Sequence, residues 1–204
     1  MRHPVQAFTE AQLKTRTVPG MVPGRNMEVY GTTFYDTGLY VSAATQQLEF
    51  FTTARANRQL TNLATPGSLP SPQYFMIYGF QVDYHVNPAA SAIDDLWQLI
   101  YGNPTNTLDG MPTFRFVYAD KEYGPWPLSA LHGTGAITGF TTVTNTSFAN
   151  NYIPDGGFFQ DGGLLLAPNQ GFRGVIEWSG PVTLTRGNTQ IRVTMNGSNY
   201  RKIT

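Results

Sequence analysis

The chain has no cysteine, and that absence removes disulfide frameworks, thiolate nucleophiles and Cys-ligated zinc together. Charge is scarce as well. Only 13% of the 204 residues are charged, against about a quarter in an average soluble protein. The 13 Lys+Arg balance the 13 Asp+Glu, and the basic residues form no run. An electrostatic footprint for gripping nucleic acid is therefore missing, and no direct sequence-specific nucleic-acid binding is expected. Nor does any stretch reach the roughly 18 consecutive apolar residues of a membrane-spanning helix. The opening, MRHPVQAFTEAQLKTRTVPG, sets Glu10, Lys14 and Arg16 where a signal peptide needs unbroken apolar sequence, so a soluble chain without a classical secretion signal is expected.

Glycine, proline and aromatic residues fill the space that charge leaves. A chain of no net charge has two readings: an ordinary β protein with an uncharged polar surface, or a subunit whose outer faces are covered by neighbours. The most informative stretch is Gln73 to Val86, QYFMIYGFQVDYHV, in which Met76, Tyr78, Phe80, Val82, Tyr84 and Val86 are apolar at every even position. The odd positions run from Phe75 and Ile77 through Gly79 to Gln81, Asp83 and His85. A period of two over that length predicts a long strand with its even face on a core throughout and its odd face buried only at the start.

Other segments repeat the pattern. QQLEFFTT (46–53) predicts a strand with Leu48 and Phe50 on one face and Phe51 opposite, and 113–118 does the same with Phe114, Phe116 and Tyr118 against Arg115 and Val117. KEYGPWPLSALHGTG then breaks the pattern. Further strands are expected at 136–143, 163–166, 174–178, 182–184 and 190–195. One helix stands out: Ser91 and Asp94 form a capping box, Ile93, Leu96, Trp97 and Ile100 make one apolar stripe, and Gly102 with Pro104 ends it. Residues 1–30 hold Pro4, Pro19, Gly20, Pro23 and Gly24 with no sustained period and read as an N-terminal arm, leaving 31–204 as one domain. The short strands and frequent turn residues predict an all-β antiparallel sandwich, a jelly roll with the helix in an inter-strand loop.

Candidate chemistry is thin. Asp83, Asp120, Glu122 and Glu177 are the acids that a glycosidase would need in facing pairs, yet all four read as solvated or paired surface groups. His3, His85 and His132 show no ligand spacing, and Asp83 with His85 is the one pair sharing a face two residues apart. Ser91, Ser129 and Ser147 lack a Gly-x-Ser-x-Gly context, and the pairs Gly156-Gly157 and Gly162-Gly163 are not followed by Lys-Ser/Thr. Trp97 and Trp178 read as core, leaving Trp126 as the single loop-borne candidate for a sugar platform. No catalytic residue, metal or cofactor is expected.

The Pro/Gly-rich arm before Tyr30, the run TNLATPGSLPSPQYFMIYGFQV (61–82), the lone helix SAIDDLWQLIYG (91–102) and the closing strand TQIRVTMNGSNYRKIT together resemble a single jelly-roll capsid protein of an icosahedral, tailless, membrane-containing bacteriophage. The resemblance implies a structural virion protein, assembled in the host cytoplasm, with no reaction and no small-molecule substrate. Its partners would be copies of itself and other capsid proteins, with an internal membrane as a further neighbour. Contacts are expected at Val18, Pro19, Met21, Pro23 and Arg25 in the arm, at Pro70, and at Phe158 and Phe159, whose adjacent rings cannot both face one core. Two rivals stay open: a carbohydrate- or receptor-binding module using Trp126, and a jelly-roll glycoside hydrolase.

Overall fold

The computed structural model describes residues 27–55, 57–85, 92–102, 110–131, 140–143, 146–149 and 163–202. Along them run β1 (Met27–Tyr40), β2 (Gln47–Phe50), β3 (Gln73–His85), α1 (Ala92–Tyr101), β4 (Thr113–Tyr118), β5 (Lys121–Pro127), β6 (Phe140–Val143), β7 (Thr146–Ala149), β8 (Leu164–Leu166), β9 (Phe172–Glu177) and β10 (Thr189–Lys202). Pairing is nested: β1 with β10, β2 with β9, β3 with β8 and β4 with β5, all antiparallel. The cross-links β10·β3 and β4·β9 then join these pairs into two four-stranded sheets, ordered β1-β10-β3-β8 and β2-β9-β4-β5. That nesting is a long antiparallel hairpin rolled onto itself, the eight-stranded jelly roll that the sequence pattern predicts. Strands β6 and β7 form a separate hairpin between β5 and β8.

The core lies between the sheets. Phe50, Phe51, Phe80, Phe114, Phe116 and Phe172 fill it with Ile191, Val193 and Met195 from β10. Each such side chain contributes about 1.5–3 kcal/mol when fully buried. The rings meet edge-on or tilted, as for Phe80 against Phe114 at 5.0 Å and Phe116 at 4.9 Å.

Strand β3 departs from the expected single phase. Gly79 pairs with Asn196 and Ile77 with Gly197, so Tyr78 is an extra residue, a β-bulge. Before it, Phe75 and Ile77 face the main core while Met76 turns to a second cluster with Tyr200; after it, Phe80 and Val82 face the main core. The even face is thus on the core only beyond the bulge. Opposite it, a Cβ on Gly197 would strike the carbonyl oxygen of Met76 and come within 2.6 Å of the Phe75 ring, so glycine alone fits there.

Other corrections have local causes. Residues 27–30, read as arm, open the 14-residue β1; residues 1–26 lie outside the described residues. KEYGPWP forms β5 instead of ending the sheet, because it is an edge strand where Pro125 and Pro127 need not donate to a neighbour. Phe51 is buried beside Phe50, since a left-handed turn at Phe51 (φ 68°) swings its ring back inward. Residues 182–184 make no strand; Val182 and Leu184 dock instead when their N–H groups donate to Tyr40 Oη (2.6 Å) and Ser42 Oγ (2.8 Å).

The helix forms where expected and ends at Gly102 (φ 86°), whose N–H donates to Gln98 O. Its buried side differs from the expected stripe: Asp95, Leu99 and Ile100 are buried, whereas Leu96 and Trp97 are half-buried. Asp95 can go inside because its carboxylate accepts the Thr185 and Arg186 N–H groups at 2.7 and 2.9 Å. Ser91 and the side chains of Ile93 and Asp94 lie outside what is described.

Candidate functional site

The sequence candidates for catalysis are not gathered into one site. Glu122 on β5 and Glu177 on β9 do approach each other, but through Arg115 on β4, which donates Nη1 to Glu122 (3.0 Å) and Nη2 to Glu177 (2.7 Å). Hydrogen bonding to Glu122 is the main cause that holds the guanidinium above its usual range, burial working against it. Both carboxylates are therefore engaged by one cation on an outer sheet face, where such pairs contribute about 0.2–1 kcal/mol. A recess of about 410 Å³ beside them, lined by Gln46, Met111, Thr113, Glu177 and Trp178 among others, holds that one acid. Asp120 sits in the exposed β4–β5 turn. Asp83 is held by Gln81 Nε2 at 3.1 and 3.2 Å, His85 is exposed two residues on, and no group of three metal-ligating side chains occurs among the described residues. His3 and His132 lie outside the described residues.

Trp126 is not the loop-borne ring the sequence suggests. It is on β5 and packs inward, 5.8 Å from Phe80 and 6.1 Å from Phe114. Trp178 is core as expected, with Nε1 donating to Leu99 O (3.0 Å).

One buried ion pair remains. Asp36, 1% exposed on β1, accepts Arg55 Nε at 2.7 Å and the Phe51 N–H at 2.6 Å, tying the edge strand to the end of β2. Tyr84 and Tyr40 both have phenols raised above their ordinary range by burial, the nearby Asp83 charge adding to it for Tyr84 and a hydrogen bond to Val182 O opposing it for Tyr40. These groups brace the fold.

The unusual surface is on β1. Of the five exposed large apolar side chains among the described residues, Val29, Tyr30 and Leu39 are on this strand and Val41 follows it directly. The strand is also an outer edge, paired with β10 over its whole length with no register shift and joined on its other side by an isolated antiparallel bridge from Asp36 to Thr61. Its second half is closed off. Asn62 Oδ1 accepts the Tyr35 N–H (2.8 Å) and Asn62 Nδ2 donates to Thr33 O (2.7 Å), a side-chain amide standing where a neighbouring strand's peptide would be. Thr61 Oγ1 donates to Tyr35 O (2.9 Å), and Arg192 stacks on the Tyr35 ring and donates to Thr37 Oγ1. Ahead of Thr33, nothing among the described residues closes residues 27–32.

Of the contact residues expected from sequence, Pro70 is described and exposed in the β2–β3 connection, where its carbonyl accepts the N–H of Gln73 at the start of β3. Val18, Pro19, Met21, Pro23, Arg25, Phe158 and Phe159 lie outside the described residues. Sequence reading missed the β1 edge because an exposed strand mixing Gly, Thr and Tyr shows no clean alternation. Asn62 carried no signal either, since its role depends on a strand nearly thirty residues earlier. No family model, curated protein or solved structure matches the chain.

Proposed function

We propose that the chain is a structural subunit that self-associates into a shell, the capsid protein of a tailless icosahedral phage being the kind of protein it serves as. The observation that carries this reading is the concentration of exposed apolar side chains on the edge strand β1 in a chain with so little charge. Soluble monomers protect long sheet edges with charge, proline or bulges. Strand β1 has none of these beyond Glu28 and Asp36, and Asp36 is buried in its ion pair. A stiff two-sheet wall of 13- and 14-residue strands supplies the rigid body that a tiling subunit needs.

The work of such a subunit is done by contact surfaces, not by a reaction. Negative-stain electron microscopy of the purified full chain tests it. Closed particles or extended arrays are the expected result. Removal of residues 1–25 leaves all of β1 and should preserve the fold while abolishing those assemblies. A monodisperse monomer in the full-length preparation overturns the proposal, and unchanged assembly by the truncated chain overturns the role of the arm.

A further inference from the structure

We infer that the recess at the end of the β2-β9-β4-β5 sheet binds a neutral sugar ring, with Gln47, Thr113 and Glu177 meeting its hydroxyls and Met111 its C–H face. The inference goes beyond the shell reading above and does not rest on it.

Register builds the row of polar groups. Gln47 on β2 and Thr113 on β4 are both Cα partners of Glu177 on β9, so the three side chains stand side by side across the sheet. The residues next to them, Leu48, Phe114 and Ile176, pack in the core, and because a strand alternates its faces the row lies on the outer one. Both flanks are tied down. Gln46 O accepts the Trp178 N–H (2.9 Å) and Pro112 O accepts the Leu128 N–H (2.9 Å). Arg115 orients the acid by donating Nη2 to Glu177 Oε1 (2.7 Å). A site carried on three paired strands needs little further ordering when a ligand arrives.

The lining selects the ligand. At about 410 Å³ the recess falls in the ordinary range of roughly 300–1,000 Å³ for small-molecule sites, but it is lined by amides, hydroxyls and a carboxylate where such sites are usually apolar. The side chains of Gln46, Thr113 and Ser179 make no hydrogen bond among the described residues, and Glu177 Oε2 is open as well. Amide and hydroxyl side chains both donate and accept, which matches a ring whose every hydroxyl does the same.

Other ligand classes fit less well. The Glu177 carboxylate repels an anion, and a divalent cation takes about six or more oxygen ligands, whereas no group of three metal-ligating side chains occurs among the described residues. A flat aromatic ligand has no ring to stack on, since Trp178, which lines the recess, is 5% exposed. Met111 supplies the apolar wall. At 47% exposed it is the one large apolar side chain of the exposed five that is neither on β1 nor directly after it, and its flexible thioether can lie along the C–H groups of a sugar.

Saturation-transfer NMR of the purified full chain tests the site, and it works on monomer and assembly alike. The probes are the methyl glycosides of glucose, galactose, mannose and N-acetylglucosamine, each at millimolar concentration. At least one should receive saturation. Thr113→Val and Gln47→Leu, both outer-face changes, should each weaken its binding about fivefold, the size of one ordinary hydrogen bond, with an unchanged circular dichroism spectrum. Gln190→Ala, on the other sheet, should leave binding as it was.

Saturation of none of the four sugars overturns the proposal, and binding that ignores both Thr113→Val and Gln47→Leu overturns the site. Assembled particles that bind no sugar overturn the site and leave the shell reading standing. A monomer that binds one through Thr113 and Gln47 supports the site and overturns the shell.

Discussion

At the residue scale, the acids that hold backbone in place are Asp36 and Asp95, whereas the candidates for chemistry Asp83, Glu122 and Glu177 bind side chains. Asp95 stands in the first turn of α1, but its partners, the Thr185 and Arg186 N–H groups, lie ninety residues away and no local pattern shows them. Replacing it by alanine leaves two part-buried donors on exposed residues without their charged acceptor, so Asp95→Ala should cost about 1–3 kcal/mol in urea unfolding. Asp36→Ala should cost about 2–3 kcal/mol by the same measurement, below the roughly 3–5 kcal/mol for breaking a fully buried pair because Arg55 keeps some access to water. An effect under about 0.5 kcal/mol in either would contradict these roles. Tyrosine ionisation gives a pH test. The folded chain keeps the Tyr84 phenol protonated above its ordinary value of 10.0, whereas the unfolded chain releases that proton, so the unfolded state binds fewer protons there and stability falls as pH rises past that value. Tyr84→Phe should flatten the alkaline limb of the stability curve; an unchanged limb counts against the buried phenol as its source.

The decisive element is β3. Its length and alternation were readable from residues alone, and so was its place in a sandwich. The phase switch at Tyr78 was not, because the apolar residues on both sides of Gly79 satisfy either phase, and only pairing with Gly197 of β10 decides between them. Deleting Tyr78 would leave Phe75, Ile77, Phe80 and Val82 in one unbroken alternation with their partners on β10 unchanged, since the extra residue is what shifts the phase. The expected result is a thermal transition that stays cooperative. Loss of that transition would show that the bulge itself, and not the pairing with β10, sets the register. Gly197→Ala is the harsher probe and should cost about 1–3 kcal/mol from overpacking against Met76 and Phe75. Strand β5 shows the opposite error: its prolines read as punctuation, and only its position at a sheet edge made them compatible with pairing.

For the whole molecule, composition and short strands were enough to anticipate the jelly roll, while the site was largely invisible. A docking edge is defined by what does not pair with it, and that becomes known only once β10 and Asn62 have taken their places beside β1. The central claim is that this rigid sandwich exists to stand beside copies of itself through apolar and backbone contacts. Contacts of that kind do not weaken as salt screens charge, unlike association driven by ion pairs. The most direct test is therefore the mass of the purified full chain by light scattering, at micromolar concentration and from low to high salt. The account predicts species well above 22.5 kDa that persist or grow as salt rises; a 22.5 kDa monomer at every condition would contradict it.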